Sequence, residues 1–168
     1  MATTTTSRPE RRDIDLSEGE RIGFAQKIGE VLAETYRLTV ETQILHWNVR
    51  GPLFLAAHEL SERHYKLMFA QIDEIAERAR ALGVSSPAQA EAFPPPVRFD
   101  AKNVTAEQAI ERLSKGHEDL VKRLRETADI LEEEGDLGTS DFFVGLLQFH
   151  EKAIWMWRAL IAPSQSKI

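Results

Sequence analysis

Apolar side chains in the first third of the chain recur at alternating spacings of three and four residues. This is the period of one face of an α-helix. The run follows Ser17 and Glu20, whose spacing has the form of a helix-capping box, and it stops before Gly51 and Pro52, which break helices. The pattern predicts a first helix over about residues 18–48. Its buried face should consist of Phe24, Ile28, Val31, Leu38 and Leu45, with Thr35 and Thr42 filling the missing steps.

A second apolar seam begins after Pro52 and ends at Gly83, a residue that favours the ends of helices. It predicts a second helix whose seam is Tyr65, Met68, Ile72, Ile75, Ala79 and Leu82. Residues 83–104 contain four prolines, three of them consecutive, and cannot form one regular helix. We therefore expect a long connection there, with room for a short helix near 87–92.

Two further helices complete the pattern. Thr105 and Gln108 form another capping box, and the helical period after them predicts a third helix over about 105–134. A short turn at 135–138 should follow, and then a fourth helix that Pro163 ends. Its seam is Phe143, Leu147, His150, Ile154, Trp157 and Ile161.

The lengths of the connections predict how the four helices are arranged. The first and second helices are joined tightly, as are the third and fourth, whereas the second and third are separated by the long connection. Two hairpins joined by a long crossover are typical of a ferritin-like bundle, since an ordinary up-down-up-down bundle uses short loops throughout. We therefore expect an all-α, ferritin-like four-helix bundle over 17–163, with a flexible tail at 1–16 and a short tail at 164–168.

The composition limits the class of protein and the chemistry. The chain has 168 residues, of which 42% are hydrophobic and 29% charged, as in a soluble protein of one domain. No apolar run is long enough to span a membrane and no secretory signal is recognisable, so we expect a cytoplasmic protein. The formal charge of -6 argues against a generally basic DNA-binding surface. Because there is no cysteine, any metal must be bound through nitrogen and oxygen.

Two histidines and two carboxylates are the candidate metal ligands. His46 and His58 lie at similar distances on either side of the Gly51-Pro52 turn, so an antiparallel hairpin brings their imidazoles level. Asp73 and Glu77 are one helical turn apart and present their carboxylates together. However, about 15 residues separate His58 from Asp73 on one helix, which corresponds to about 22 Å. The two pairs cannot share a metal within one subunit.

A two-fold dimer would bring the pairs together. If the second helix ran antiparallel to its mate, the histidines of one chain would face the carboxylates of the other, twice per dimer. Two imidazoles and two carboxylates with open coordination positions suit a redox-active iron, and zinc or manganese could also bind. The alternative is that the histidines are ordinary hydrogen-bonded groups and the acids a solvated helix face. Spacing alone leaves both interpretations open.

The residues around these ligands closely resemble the Dps family, the DNA-binding proteins from starved cells or mini-ferritins. The resemblance continues through 133–136 and 147–156, so it covers nearly the whole chain apart from the N-terminal tail. The residues that match the family pattern around the ligands are His46, Trp47, Asn48, Gly51, Pro52, Phe54, His58, Asp73, Glu77 and Arg78.

The resemblance implies a ferroxidase that stores a ferric mineral in a dodecameric shell. Its catalytic centres would lie at dimer interfaces, with His46 and His58 from one subunit and Asp73 and Glu77 from its mate as iron ligands. Fe²⁺ would be oxidised by hydrogen peroxide or O2, which protects DNA from oxidative damage. Trp47, beside a ligand, would be a packing group or a local radical trap.

The resemblance also suggests an iron-entry pore lined by acidic residues at the corner between the third and fourth helices. The candidates are Glu132, Asp136 and Asp141, although Leu137 stands where relatives are often acidic. An ordinary acidic helix cap and solvated turn is the alternative.

The remaining histidines and the tail are assigned more simply. No histidine has a glutamate three residues before it, so the Glu-x-x-His motif of conventional di-iron bundles is absent. His64, His117 and His150 are therefore expected in surface or core roles. Residues 1–16 contain three arginines and three acidic residues, so we expect weak DNA binding or none. A nucleoid-compacting DNA-binding protein with secondary ferroxidase activity remains the alternative function, and an assembly protein without catalysis is disfavoured because all four ligand positions are intact.

Overall fold

The four predicted helices are present in the structure, a computed structural model that describes residues 17–86 and 104–163. Within these ranges it contains no strand, which confirms the all-α prediction. The predicted tails and the short helix near 87–92 lie outside the described residues. The helices are α1 (Glu18–Asn48), α2 (Phe54–Ala81), α3 (Ala106–Glu133) and α4 (Leu137–Ile161).

Both predicted capping boxes form. The Ser17 hydroxyl accepts a hydrogen bond from the Glu20 backbone, and the Glu20 carboxylate accepts one from the Ser17 backbone. Thr105 and Gln108 make the same reciprocal pair at the start of α3. Because each box satisfies donors that the first helical turn leaves unpaired, α1 and α3 begin where the sequence predicts.

The turn between α3 and α4 is shorter than the sequence suggested. The sequence predicts a turn over 135–138, but α4 already begins at Leu137. The Asp136 carboxylate accepts a hydrogen bond of 3.0 Å from the Thr139 backbone and thereby caps the helix. Gly135, with a φ of 86°, supplies the left-handed conformation that ends α3.

Contacts between helices fix their directions. Arg123 of α3 pairs with Glu30 of α1 at 2.6 Å, so α1 and α3 are in contact along their length and antiparallel, with Gly116 against Leu38 further along. At the end of α2, Arg78 reaches the corner between α3 and α4. The carboxyl ends of α2 and α3 therefore lie at the same end of the bundle, which requires the connection between them to run its full length. This is the ferritin-like arrangement.

The core follows the predicted seams. Phe24, Ile28 and Leu38 of α1 are fully buried, and the two threonines of this face are buried as well. Thr35 and Thr42 remain compatible with the core because their hydroxyls donate to the carbonyls of Val31 and Leu38, one turn earlier. The largest fully buried side chains elsewhere are Trp157, Phe143, Met68, Ile75, Leu82, Ile110, Leu120, Leu124 and Leu131.

Candidate metal centre

The imidazoles of His46 and His58 lie against each other, as the hairpin predicts. Their rings are stacked, with centroids 3.9 Å apart and planes inclined by 18°. Nδ1 of His46 is 3.0 Å from the carbonyl oxygen of His58, and Nδ1 of His58 is 3.0 Å from the carbonyl oxygen of His46. Since a carbonyl can only accept, each Nδ1 carries the proton and donates. In the neutral form of each ring, Nε2 then keeps its lone pair, which is the state in which imidazole binds a metal.

The local sequence explains why the two histidines are level. α1 ends at Asn48, and Gly51 adopts a φ of 86° that only glycine accepts readily, so the chain reverses at once into α2. The Phe54 backbone donates to the Gly51 carbonyl at 3.0 Å and closes the turn. Ser61 then donates to the carbonyls of Ala57 and His58, which holds the first turns of α2.

Aromatic side chains surround the histidine pair. Phe54 stacks on His58 with ring centroids 5.1 Å apart, and Tyr65 places an edge against His46 at 5.3 Å. Trp47, beside His46, is exposed over 67% of its surface. The sequence had indicated Trp47, but the contact of Tyr65 depends on the packing of α1 on α2. The sequence signal for this contact is the position of Tyr65, which lies seven residues, or two helical turns, after His58.

The carboxylate pair lies elsewhere on the same chain. Asp73 and Glu77 are both exposed on α2, about 22 Å along the helix from His58. Phe69, one turn before Asp73, is 62% exposed. Within residues 17–86 and 104–163, no three histidine, aspartate or glutamate side chains are arranged to hold a metal ion. Within one subunit the histidine pair and the carboxylate pair are therefore separate, as their spacing predicts.

The three acidic pore candidates occupy different environments. Glu132 and Asp141 are exposed, whereas Asp136 is buried. The Asp136 carboxylate accepts hydrogen bonds from Thr139 and pairs with Arg78 at 3.1 Å. Its geometry is that of a helix cap and an interhelical ion pair, the structural alternative that the sequence left open.

His64, His117 and His150 all lie in the core rather than on the surface. They come from α2, α3 and α4 and approach one another in space. The sequence placed His117 and His150 in apolar seams, but it could not show that three separate helices bring the side chains together.

Comparisons with known proteins agree with this fold. A model of the ferritin-like domain matches residues 25–164. A low-temperature-induced protein of Nostoc sp. is 37% identical over 155 residues, covering 90% of this chain and 87% of that protein. DNA protection during starvation protein 2 of Bacillus anthracis is 34% identical over 118 residues, covering 69% of this chain and 81% of its own. The solved structure of DpsC from Streptomyces coelicolor has a TM-score of 0.85 at 26% identity, covering 95% of each chain.

The protein is thus a ferritin-like four-helix bundle. Within that class, the chain belongs to the Dps family. Membership supports iron binding and storage, ferroxidase activity, protection of DNA and assembly into oligomers as general properties of the family. In the part of the chain that the structure describes, no helix is both long and apolar enough to cross a membrane.

Proposed function

We propose that this protein oxidises Fe²⁺ with hydrogen peroxide at centres shared between two subunits and stores the ferric product inside a dodecameric shell. O2 is a second oxidant of the same reaction, and zinc or manganese would compete with iron for the ligands. The oxidation and storage of iron would take place in the cytoplasm, where consumption of ferrous iron and peroxide protects DNA.

The reciprocal hydrogen bonds of His46 and His58 carry this proposal. They fix both rings, and they hold both in the tautomer that leaves Nε2 free to bind a metal. The backbone carbonyls act here as the outer partners that orient metal-binding imidazoles in many proteins.

The other half of the centre would come from Asp73 and Glu77 of a second chain. Both carboxylates are exposed in the isolated subunit, and exposed apolar side chains accompany both half-sites. Such a surface on a single chain is typical of an interface, and a two-fold axis would bury it twice. The large exposed side chains near the half-sites are Trp47, Phe54, Leu55 and Phe69.

The chemistry requires electrons to be delivered in pairs. Two ferrous ions each give one electron to a peroxide molecule, which takes up two protons and leaves as two water molecules. A paired transfer releases no hydroxyl radical. Imidazole and carboxylate ligands suit both oxidation states of the substrate iron. Trp47 either packs at the interface or traps a stray radical.

Iron would enter at the corner between α3 and α4. The exposed carboxylates of Glu132 and Asp141 are available there, and Leu137 is exposed beside them. Asp136 would support the corner through Arg78 rather than meet the ion directly.

The test is anaerobic loading with Fe²⁺ followed by peroxide, with the ferric absorbance as readout. We expect His46→Ala and Asp73→Ala each to abolish the fast phase, while Glu74→Ala, which removes an exposed carboxylate next to Asp73, leaves it intact. Unchanged oxidation in both site variants would contradict the assignment.

DNA binding is proposed to be weak or absent, because the three arginines of residues 1–16 are balanced by three acidic residues. A gel shift of the full-length protein at physiological salt should show no tight complex. A tight complex would favour the nucleoid-compacting function instead.

A further inference from the structure

Three histidines that the proposed centre does not use meet inside the bundle. His64 of α2, His117 of α3 and His150 of α4 are each at most 3% exposed. The ring centroids of His64 and His117 are 6.1 Å apart, and those of His117 and His150 are 5.0 Å apart. Aromatic rings pack against the histidines: the ring centroids of Trp157 and Phe149 are 5.2 Å and 5.7 Å from that of His64. We call His64, His117 and His150 the core histidine cluster.

A direct hydrogen bond inside the cluster requires the accepting imidazole to be neutral. Nδ1 of His117 lies 2.8 Å from Nδ1 of His150. In the neutral state one of these nitrogens donates and the other accepts. If the accepting ring takes up a proton, its Nδ1 also carries hydrogen, and two donors face each other. If the donating ring takes up a proton, the proton goes to its Nε2 and the hydrogen bond is kept. Protonation of either ring therefore leaves a charge in the core, and protonation of the accepting ring also breaks the bond.

No carboxylate in the described residues offsets such a charge. Nδ1 of His64 and Nε2 of His117 are buried without a hydrogen-bond partner in those ranges. The charged groups around the cluster are either cationic or already paired. On α2 there is Arg63. On α1, the Arg37 side chain lies near Gly116 and forms ion pairs with Glu34 and Glu41. The neighbours in sequence on α3 and α4, Glu118 and Glu151, are paired with Arg158 and Arg125.

The pKa values follow from this environment. Burial, followed by the positive charge of Arg63, lowers the pKa of His64 to about 4. Burial, followed by the effect of His64, lowers the pKa of His150 to about 3. Burial, followed by its two histidine neighbours, holds the pKa of His117 well below its usual 6.5.

We propose that the core histidine cluster makes the four-helix bundle sensitive to acid. The three histidines stay neutral in the folded core, and the bundle opens at low pH because they bind protons when it unfolds. The unfolded chain binds these protons near pH 6.5, whereas the folded chain binds them only well below that value. Between the two pH values the unfolded state holds more protons. Stability is therefore full above pH 6.5 and falls as the pH drops, with α2, α3 and α4 losing their common contact.

The test measures proton uptake on unfolding of the full-length protein. Urea unfolding is followed at several pH values between about 4.5 and 6 by near-ultraviolet circular dichroism. Near pH 5 each core histidine should take up about one proton when the chain unfolds. Each therefore raises the unfolding equilibrium constant K about tenfold for every unit by which the pH falls. His64→Leu and His150→Leu should each lower the slope of log K against pH by about one.

The matched control is Leu120→Ala. Leu120 is buried on α3, one turn after His117, and carries no ionisable group. This variant should be less stable at every pH but keep the slope of the wild type. A slope unchanged in both histidine variants would overturn the proposal.

The wild type alone is decisive if the histidine variants do not fold. Near pH 6 the carboxylates are ionised in both states, so calorimetric unfolding in two buffers of different ionisation enthalpy should report uptake of about two protons per chain. Uptake of less than one proton would overturn the proposal as well. Neither measurement involves iron, so its outcome is independent of the proposed ferroxidase function.

Discussion

Replacing Arg78 by methionine should loosen the end of α2 that carries the carboxylate half-site. Arg78 follows Glu77, donates through Nε to the Thr139 hydroxyl at 2.8 Å, and pairs through Nη2 with Asp136 at 3.1 Å. Methionine keeps much of the apolar stem but removes both hydrogen bonds. The buried Asp136 then loses its only positive partner among the described ion pairs.

The magnitude follows from the geometry. A hydrogen bond to a charged group contributes about 1.5–3 kcal/mol. The side chain of Arg78 is 27% exposed and that of Asp136 is 6% exposed. Solvent therefore screens the charge of Arg78 in part but hardly reaches Asp136. We expect Arg78→Met to lower the free energy of unfolding by about 2 kcal/mol, which corresponds to about 4–8 °C in Tm for a chain of this size.

Urea unfolding followed by circular dichroism measures the loss. The control is Arg125→Met, which breaks an exposed ion pair with Glu151 and should cost about 0.2–1 kcal/mol. Combination of Arg78→Met with Asp136→Asn should give a double-mutant cycle with clear coupling. If Arg78→Met costs no more than the Arg125 control, or if the cycle shows no coupling, the reasoning is wrong.

Two further variants address the packing and the assembly. Gly116→Ala places a Cβ 2.8 Å from Cδ1 of the buried Leu38, so the α1–α3 contact must shift and stability should fall by about 1–3 kcal/mol; a thermal melt at or above that of the wild type would contradict this. Phe69→Lys puts a charge at a side chain that is 62% exposed in the single chain, and it should shift sedimentation from oligomer toward smaller species. An unchanged sedimentation profile would place Phe69 outside the proposed interface.

Most of the fold could be predicted because its signals are local. Capping boxes at Ser17 and Thr105 and the helical period of the seams are properties of short segments. The start of α4 was misplaced because Asp136 caps it with no glutamate or glutamine three residues later. A cap of that kind resembles ordinary turn chemistry in sequence.

The site was predictable to the extent that it depends on one hairpin. The level positions of His46 and His58 follow from the Gly51-Pro52 turn, but their reciprocal hydrogen bonds depend on the orientation of backbone carbonyls. The meeting of the core histidines depends on the rotation of three helices whose segments are distant in sequence. The proposed contact between the histidine pair and Asp73 would depend on a second chain, so no property of a single subunit determines it.

Complementation between two defective chains tests the shared centre most directly. One chain carries His46→Ala and His58→Ala, and the other carries Asp73→Ala and Glu77→Ala. Neither should oxidise Fe²⁺ alone. In a mixed oligomer, the intact histidines of the second chain can face the intact carboxylates of the first, which completes one of the two centres in each mixed dimer.

The readout is peroxide-driven oxidation of Fe²⁺ by co-expressed chains that carry two different affinity tags. Random pairing makes half of the dimers mixed and completes half of their centres, so the shared-centre account predicts recovery of about a quarter of the wild-type fast phase. No recovery in verified mixed oligomers, or full activity of either defective chain alone, would contradict it.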